Sequence, residues 1–371
     1  MKKILVTSTD LMMIQFLVPH VLYLREQGFD VEVACSDVGG RLDEVKEKLG
    51  VETVHSVHLV RSPANLTNLN GLRELKQIID FGHYELIWTN EPVMGIMTRL
   101  AAQKARKSST KVLYMVHGFH FFKGAPLINW LLYYPIERIM ANKADVICTV
   151  NQEDYHRAKG FKVKRVEYIH GVGIDPERYG NAENGKCLRG ELGLKDDELI
   201  VLSVGELNKN KNQKVIIQAL SLLKDPKIHY VLCGKGNQAE TLRNLAQEYG
   251  LQANVHFLGY RKDILNIYKQ ADIYVMPSFR EGLPVSSLEA MYCGLPLITS
   301  NIRGLSDIME DGKTGYAVAP ENKNAFAEKI VFLKDNPLLR EEMSKNNQEA
   351  VYPFMVNQTK IEIASLIRSL I

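Results

Sequence analysis

Short apolar segments rich in β-branched residues alternate along the chain with segments in which apolar residues recur at helical spacing. Segments of the first kind are typical of strands buried on both faces of a parallel sheet, and those of the second kind of the helices that cover such a sheet. The pattern therefore predicts an α/β protein. In the first half we expect a helix over 15–27 and strands over 3–7, 30–35, 86–89, 111–117 and 144–150.

The alternation starts again after a further apolar segment at 168–172. In the second half we expect strands over 199–204, 229–234, 255–258, 272–277 and 296–299, and helices over 212–223, 238–249, 262–270 and 284–293. Beyond about residue 322 the pattern is helical, and it ends in an apolar-periodic segment at 355–371. Two such series indicate two doubly wound units, joined by a linker in the first part of the glycine-rich segment 171–193.

The length of 371 residues agrees with this division, since ~100–200 residues is the usual size of a domain. We predict domains at 1–172 and 173–352, followed by a closing helix at 353–371. Two domains imply an interface, and ligand clefts often lie at such interfaces.

Composition narrows the class of protein. A hydrophobic share of 46% and a charged share of 24% are those of an ordinary folded protein, and a net charge of +3 gives no reason to expect a nucleic-acid partner. Five scattered cysteines without a C-x-x-C pair argue against a disulfide framework and a zinc site, which favours the reducing cytoplasm. No segment is both long and apolar enough to cross a bilayer.

The basic excess lies in residues 1–172, whose net charge is +4. Five basic residues follow one another there with no acidic residue between them: Arg99, Lys104, Arg106, Lys107 and Lys111. A solvated helix end would explain them. The other interpretation is a peripheral surface that attracts anionic lipid headgroups at the inner face of the membrane, at about 1 kcal/mol per basic residue.

Several common motifs are missing from the sequence. The turn after the first predicted strand contains no glycine, whereas a dinucleotide-binding fold needs G-x-G-x-x-G there. The chain also lacks G-x-x-x-x-G-K-[ST], G-x-S-x-G and D-x-D. These absences argue against a nicotinamide or flavin dehydrogenase, a P-loop enzyme, a serine hydrolase and a metal-diphosphate site.

The segment 277–291, which reads PSFREGLPVSSLEAM, carries the richest signal. It follows a predicted strand, turns at Gly282 and has the proline and serines of a helix start. Free amides and the positive dipole end of a helix bind phosphate. Because Glu281 and Glu289 would repel a phosphate, we expect these carboxylates to accept hydrogen bonds from hydroxyls of an attached sugar or ribose.

Glu281 and Glu289, with seven residues between them, lie in a segment that resembles the E-x7-E motif of the family 4 retaining glycosyltransferases. The glycine turn, Pro284 and the following Gly294-Leu295-Pro296 match as well. The resemblance implies a GT-B fold, in which two Rossmann-like domains face a cleft and a C-terminal helix crosses back to the N-terminal domain. It implies that Glu281 contacts the donor sugar and Glu289 the nucleotide ribose. The residues around the diphosphate would be Gly282, Leu283, Pro284, Val285 and Ser286.

The loop that begins at Gly205 is similar to the G-R-L-x-x-x-K loop of this family, whose Arg and Lys hold the diphosphate. Lys211 matches the lysine and is expected to stabilise the leaving diphosphate. Glu206 stands where the arginine should be, which leaves either Lys209 as a second cation or a less charged site.

Three further segments support a donor site less specifically. Gly234 and Gly236 would let a nucleotide approach the backbone, although a simple turn would also need them. Tyr260 would stack on the base, or be an ordinary half-buried tyrosine. Gly304 and Leu305 would present amides to the donor sugar, or begin a helix.

In the first half, His117 ends a predicted strand and matches the active-site histidine that lies near the donor sugar and the acceptor hydroxyl in this family. A histidine with a purely structural role is the alternative. Aromatic residues cluster beyond it, either as core or as a lipid-facing entrance: Phe119, Phe121, Phe122, Trp130, Tyr133 and Tyr134.

The segment 117–126 resembles that of bacterial capsule and exopolysaccharide transferases. The resemblance implies a metal-independent hexosyl- or N-acetylhexosaminyltransferase without a cofactor. Its donor would be a nucleotide sugar, a UDP-sugar, and its acceptor a glycan or lipid-linked oligosaccharide at the cytoplasmic face of the membrane. Two alternatives stay open: a nucleotide-sugar 2-epimerase, which needs acid/base carboxylates in the first half, and an inactive GT-B binding subunit, which Glu206 favours.

Overall fold

The structure is a computed structural model, and it describes residues 1–38, 40, 42–63, 65–176 and 187–371. The chain folds into two compact units: unit 1 comprises Met1–Gly173 with Val356–Ile371, and unit 2 comprises Ile174–Met355. The predicted borders at residues 173 and 353 lie one and three residues before the observed ones. The predicted linker segment falls partly on residues 177–186, which lie outside the described residues.

Unit 1 is built on a parallel sheet. Its strands are β1 (Lys3–Asp10), β2 (Asp30–Val38), β3 (Val54–Ser56), β4 (Leu86–Asn90), β5 (Lys111–Val116), β6 (Val146–Thr149) and β7 (Arg165–Tyr168). They lie in the order β3-β2-β1-β4-β5-β6-β7. Strand order reverses between β1 and β4, and in open sheets of this kind ligands bind beyond the carboxyl ends of the strands at such a point.

The helices of unit 1 cover this sheet. They are α1 (Leu11–Glu26), α2 (Leu42–Leu49), α3 (Thr67–Gly82), α4 (Pro92–Ala101), α5 (Gln103–Lys107), α6 (Leu127–Met140), α7 (Gln152–Ala158) and the closing helix, which runs over Val356–Arg368. The closing helix packs against α1. Its Glu362 accepts a hydrogen bond from the amide of His170 at 3.0 Å, so the last helix is joined to the end of the first 173 residues.

Unit 2 repeats the architecture. Its strands are β8 (Leu199–Val204), β9 (Ile228–Cys233), β10 (Val255–Gly259), β11 (Ile273–Met276), β12 (Leu297–Ser300) and β13 (Gly315–Val318), all parallel and in the order β10-β9-β8-β11-β12-β13. Its helices are α8 (Leu188–Leu192), α9 (Lys214–Leu223), α10 (Ala239–Glu248), α11 (Ile264–Gln270), α12 (Val285–Tyr292), α13 (Lys323–Asp335) and α14 (Pro337–Ala350). Following the chain order, the closing helix Val356–Arg368 is α15.

The α/β class and the two doubly wound units are confirmed, with small shifts at the ends of elements. The first helix begins at Leu11 rather than at residue 15, because β1 runs directly into it. The last strand of unit 1, at Arg165–Tyr168, was not predicted, because its residues are half-buried or exposed and give little apolar signal. Two edge strands, β3 and β13, were not predicted, because they are short and only partly buried and so give little apolar signal.

The prediction of a five-residue basic surface is wrong for Arg99. This side chain is 0% exposed, its guanidinium lies 2.9 Å from the Glu137 carboxylate, and it stacks 4.0 Å from the ring centroid of Tyr114. Arg106 pairs with Asp145 at 3.2 Å. Lys104 and Lys107 are exposed and Lys111 is half-buried. The stretch is therefore divided between the interior and the surface.

The aromatic cluster after β5 belongs largely to the core. Phe119 and Phe121 are buried and stack with their centroids 4.7 Å apart, and Trp130 and Tyr134 pack on Phe121 from α6. Tyr133 and Phe122 are half-buried. No helix in the described part of the chain combines the length and the apolar character that a membrane span requires.

Candidate active site

The candidate donor site lies at the carboxyl edge of the unit 2 sheet. Because β9, β8, β11 and β12 are parallel neighbours, the loops that follow them emerge at the same edge. These loops, at 205–212, 234–236, 277–284 and 301–305, carry most of the predicted donor-binding residues. The sheet order therefore explains why positions far apart in the sequence meet.

Lys211 and Glu281 lie at the centre of this edge. The Lys211 Nζ is 2.8 Å from Oε1 of Glu281, and both side chains are largely but not fully covered, at 19% and 11% exposure. The loop after β8 thus supplies a cation and the loop after β11 a carboxylate to one point. An ammonium and a carboxylate at this distance suit recognition of a diphosphate and of sugar hydroxyls.

Two asparagines hold these loops together. Nδ2 of Asn210 donates to the carbonyl of Arg280 at 2.9 Å, and the amide of Phe279 donates to the carbonyl of Asn210 at 2.8 Å. Asn212 has a left-handed backbone with φ of 52° and donates to the carbonyls of Pro277 and Pro320 at 3.1 and 2.7 Å. The distance between Lys211 and Glu281 is therefore fixed by backbone as well as by charge.

Helix α12 begins beside Glu281. Pro284 occupies the N-cap in an extended conformation and makes no side-chain cap, so the first turn is not closed by a polar side chain. In the described part of the chain, no acceptor lies within hydrogen-bond distance of the Val285 or Ser286 amide. Free amides at a helix start favour an anion. The observed helix start is thus suited to the diphosphate role expected for residues 282–286.

Glu289 lies deeper, one turn into α12, and is only 6% exposed. The hydroxyl of Tyr268, from α11, lies 3.1 Å from its Oε2 and 2.9 Å from the carbonyl of Ser286. A second buried tyrosine, Tyr274, donates to Oγ of Ser286 at 3.0 Å. These two hydroxyls position the carboxylate and the first turn of the helix from beneath.

The glycines of the loop after β9 are required by the packing of two backbones. A Cβ at Gly234, whose φ is 151°, would lie 1.8 Å from the carbonyl oxygen of Gly205, and a Cβ at Gly236 would lie 2.2 Å from that of Leu207. The amide of Gly234 donates to the carbonyl of Gly259 at 2.7 Å. The loop geometry alone thus accounts for both glycines, as the simple-turn alternative supposed.

Other predicted donor residues differ in their availability. Glu206 and Lys209 are exposed, and Tyr260 is 64% exposed rather than half-buried. The amide of Gly304 donates to Asp307 at 2.8 Å, so it would have to leave this carboxylate in order to bind a sugar. Leu305 is fully buried and its loop forms turns rather than a helix start. A Cβ at Gly304 would lie 2.5 Å from the Gly282 carbonyl, so this loop still packs on the Glu281 turn.

In unit 1, His117 lies directly after β5 at the carboxyl edge of the sheet. Its Nε2 is 3.1 Å from Oδ1 of Asn90, whose Nδ2 in turn donates to the carbonyl of Thr7 at 3.3 Å. This amide orientation makes Nε2 the protonated nitrogen and leaves Nδ1 as an acceptor. Desolvation by the surrounding protein lowers the pKa of His117 to about 4, so the ring is neutral at pH 7.

Glu91, next to Asn90, is a candidate residue that sequence reasoning missed. Its carboxylate accepts from the Ser8 hydroxyl at 2.6 Å and from the Thr9 amide at 2.7 Å, and burial raises its pKa. Its backbone has φ 66° and ψ 156°, a region that only glycine adopts easily. A carboxylate directly after a buried strand and before Pro92 was the available signal.

The two Rossmann-like units have the GT-B fold, and two family models identify the class of protein as a glycosyltransferase. The family model for group 1 glycosyl transferases matches residues 186–350, and that for glycosyltransferase family 4 matches residues 20–178. The chain belongs to the family 4 glycosyltransferases.

Individual relatives agree with this assignment. EpsD of Bacillus subtilis, named as a glycosyltransferase, is 37% identical over 98% of this chain and 96% of its own length. The UDP-Gal:alpha-D-GlcNAc-diphosphoundecaprenol alpha-1,3-galactosyltransferase of Escherichia coli is 28% identical over 87% of this chain and 84% of its own. The crystal structure of Anabaena HepE in complex with UDP and glucose matches all of both chains with a TM-score of 0.82 at 20% identity, a likeness of fold.

Proposed function

We propose that this glycosyltransferase moves a sugar from a UDP-sugar, with retention of anomeric configuration, to a lipid-linked glycan during assembly of a surface polysaccharide. The observation that carries the proposal is the Lys211–Glu281 pair, 2.8 Å apart beside the open first turn of α12. A cation, a carboxylate and free amides therefore lie close together, and a nucleotide diphosphate sugar offers groups that bind to all three. We propose further that transfer needs neither a metal nor a cofactor.

On the donor side, Lys211 and the amides of Val285 and Ser286 bind the diphosphate. They stabilise the negative charge that develops on it as the bond to the sugar breaks, which is where stabilisation accelerates the reaction. Glu281 accepts hydrogen bonds from the sugar hydroxyls, and the buried Glu289 accepts them from the ribose. The exposed ring of Tyr260 is available to stack on the base.

On the acceptor side, His117 and Glu91 lie at the carboxyl edge of the unit 1 sheet on neighbouring strands. The bond from the anomeric carbon to the phosphate oxygen breaks, and a bond from that carbon to the acceptor oxygen forms on the same face. The acceptor proton passes to the departing phosphate oxygen. The neutral His117 accepts a hydrogen bond at Nδ1 from the acceptor or the donor sugar, and Glu91 orients a second acceptor hydroxyl.

Two relatives support the choice of substrates. The Escherichia coli relative is named for UDP-galactose and a diphosphoundecaprenol-linked acceptor, and the Anabaena HepE structures contain UDP, UDP with glucose, or UDP-glucose. We carry over the chemical classes, a UDP-sugar and a polyprenyl diphosphate-linked glycan, and not the particular sugars.

The test has two stages. Thermal shift with UDP, GDP and ADP should show stabilisation by UDP in the wild-type chain and in Lys214→Ala, a control that removes a nearby exposed lysine, and little in Lys211→Ala. Labelled UDP-sugars are then incubated with and without a bacterial lipid extract. Label appearing in lipid supports the proposal. No stabilisation by any nucleotide would favour an inactive binding subunit, and conversion of the donor sugar without acceptor would favour the epimerase.

A further inference from the structure

Helix α6 of unit 1 presents its apolar residues to the outside. Six aliphatic side chains, each between 43% and 73% exposed, occupy one side of the helix: Leu127, Ile128, Leu131, Leu132, Ile136 and Ile139. The opposite side carries Glu137 and half-buried aromatic residues and packs on the core. A helix on the surface of a soluble domain normally shows the reverse arrangement.

Buried polar contacts fix this orientation. The carboxylate of Glu137 accepts from the buried Arg99 at 2.9 Å and from the Tyr114 hydroxyl at 2.9 Å. The Arg157 guanidinium lies 4.6 Å from the ring centroid of Trp130 and closes one edge of the helix. If α6 turned its aliphatic side inward, Glu137 would move away from Arg99. Arg99 would then be a buried charge without a partner. The exposure of the apolar face is therefore fixed by the packing of unit 1.

Acidic residues are scarce in the part of the sequence that contains this face, and Glu153 at its edge is paired with Arg157. Between Glu91 and Glu153 the sequence contains only two acidic residues, Glu137 and Asp145, and both are buried and paired. A surface groove of roughly 550 Å³ at the end of α6 is lined by Tyr134, Pro135, Ile139 and Asn142 together with two exposed cations, Arg138 and Lys162. Within the described residues, these two cations have no ion-pair partner. Arg106 donates to the carbonyl of Asn142, which brings the lysine-bearing helix α5 close to the same end.

We infer that this face of α6 inserts into the surface of an anionic lipid membrane, with Arg138 and Lys162 against the phosphate headgroups. An apolar helix face with cations at its border fits the interfacial region of such a bilayer. The 14 residues of α6 measure about 21 Å, too short for the ~30 Å hydrocarbon core, so the helix lies in the surface and does not cross it.

A second copy of the chain fits this face less well. A two-fold contact through α6 would bring Arg138 and Lys162 against the same basic residues of the second copy, and the partly exposed carboxylate at the edge of the helix, Glu153, is already paired with Arg157. The bilayer supplies both the apolar interior and the negative charge. The inference rests on the proposed function in one respect: membrane contact through unit 1 brings the acceptor-side residues His117 and Glu91 to the place where a lipid-linked acceptor is held.

Flotation with vesicles tests the inference. Vesicles of phosphatidylcholine with phosphatidylglycerol should bind the wild-type chain, and pure phosphatidylcholine vesicles should bind it more weakly. Leu131→Glu/Ile136→Glu should lower binding by roughly tenfold or more, and Arg138→Glu/Lys162→Glu should abolish the preference for phosphatidylglycerol. The matched control is Leu69→Glu/Phe81→Glu, which alters two exposed apolar residues of α3 in the same unit and should bind like the wild type.

The outcomes are separable from those of the donor-site test. Stabilisation by UDP, which depends on unit 2, should be equal in the wild type and all three variants. Because the substitutions lie in unit 1, a far-ultraviolet circular dichroism spectrum and a cooperative thermal transition like those of the wild type show that each variant is folded. Equal vesicle binding by the wild type and Leu131→Glu/Ile136→Glu would overturn the inference while leaving the proposed transfer intact. So would a wild-type dimer in light scattering that Leu131→Glu/Ile136→Glu converts to a monomer, because the face would then bind a second copy.

Discussion

The ammonium of Lys211 lies 2.8 Å from the carboxylate of Glu281, so the two groups assigned to the two halves of a nucleotide sugar are paired with each other. Each neutralises the other where only 19% and 11% of the side chains are exposed. We expect a diphosphate bound to this ammonium to compete with the carboxylate for it, so that the carboxylate accepts hydrogen bonds from the attached sugar instead. Binding of phosphate and of sugar would then be linked through this one contact.

Substitution at these two positions should have opposite effects on UDP binding. Lys211→Ala removes a charge-assisted hydrogen bond of about 1.5–3 kcal/mol and should weaken UDP binding by roughly ten- to a hundredfold. Glu281→Gln removes the competitor for Lys211 and should bind UDP as tightly as the wild type or more tightly, while transfer of sugar falls. Isothermal titration with UDP and a transfer assay measure both. Weaker UDP binding by Glu281→Gln would show that the carboxylate helps to hold the nucleotide.

Where the signal is local, the sequence predicted the secondary structure around the candidate site. Glu281, Glu289 and the start of α12 lie within one strand-turn-helix segment, so their spacing alone defines their arrangement. Contacts between distant segments were not predictable. Nothing in the local sequence indicates that Tyr268 supports Glu289, or that the amide of Gly304 is already engaged by Asp307.

The basic residues of unit 1 also show that contacts between distant segments could not be predicted. Arg99 and Lys104 are similar in sequence terms, each a basic residue in a segment without carboxylates. Arg99 is nevertheless buried, because its partner Glu137 comes from a helix nearly forty residues away. The fold class could be predicted from the alternation of apolar segments alone. Which basic side chains are exposed could not, because their burial depends on partners distant in the sequence.

The buried ion pair of Arg99 and Glu137 should stabilise the folded protein. Arg99→Ala leaves a buried carboxylate without its counter-ion and should lower the free energy of unfolding by about 3–5 kcal/mol. Arg99→Met/Glu137→Gln removes both charges, keeps an acceptor for Tyr114 and should cost less than Arg99→Ala alone. Urea unfolding measures both, with Lys107→Ala as an exposed basic control. If the double variant lost more free energy of unfolding than Arg99→Ala, the cost would not come from the unpaired Glu137 carboxylate.

Gly234 should tolerate no side chain. Gly234→Ala places a Cβ 1.8 Å from the Gly205 carbonyl at a backbone φ of 151° and should lower the free energy of unfolding by about 2 kcal/mol or more. Gly250→Ala is the matched control, since its φ of 69° carries a conformational cost but nothing lies within 4 Å of the new Cβ. Thermal unfolding of the two variants compares them. Equal losses would mean that conformation alone, and not the contact with Gly205, demands glycine at residue 234.

The neutral His117 should make the protein less stable in acid. Its pKa of about 4 in the folded chain lies below the ordinary value of 6.5, so between these values the unfolded chain binds a proton that the folded chain does not. Unfolding therefore takes up protons, and stability falls as the pH is lowered from 6.5 to about 4. His20, also buried with a pKa of about 4, adds to the same trend. His117→Gln should show a shallower fall of melting temperature over this range, and an unchanged slope would contradict the pKa assignment.

Glu91 combines a strained backbone with carboxylate hydrogen bonds to Ser8 and Thr9, and two substitutions separate these contributions. Glu91→Ala keeps the φ of 66° and loses the bonds to Ser8 and Thr9, so we expect a loss of about 2–3 kcal/mol. Glu91→Gly loses the same bonds but relieves strain of about 1–3 kcal/mol, so its free energy of unfolding should stay closer to that of the wild type.

Transfer activity gives the second readout for Glu91. If its carboxylate orients the acceptor, both variants should transfer sugar far more slowly while UDP still stabilises them, because the donor residues lie in unit 2. A stable Glu91→Gly variant with low transfer and normal UDP binding would show that the strain is retained for function rather than for folding. Equal stability of Glu91→Ala and Glu91→Gly would mean that the backbone at this residue is relaxed, and full transfer by both would remove Glu91 from the acceptor site.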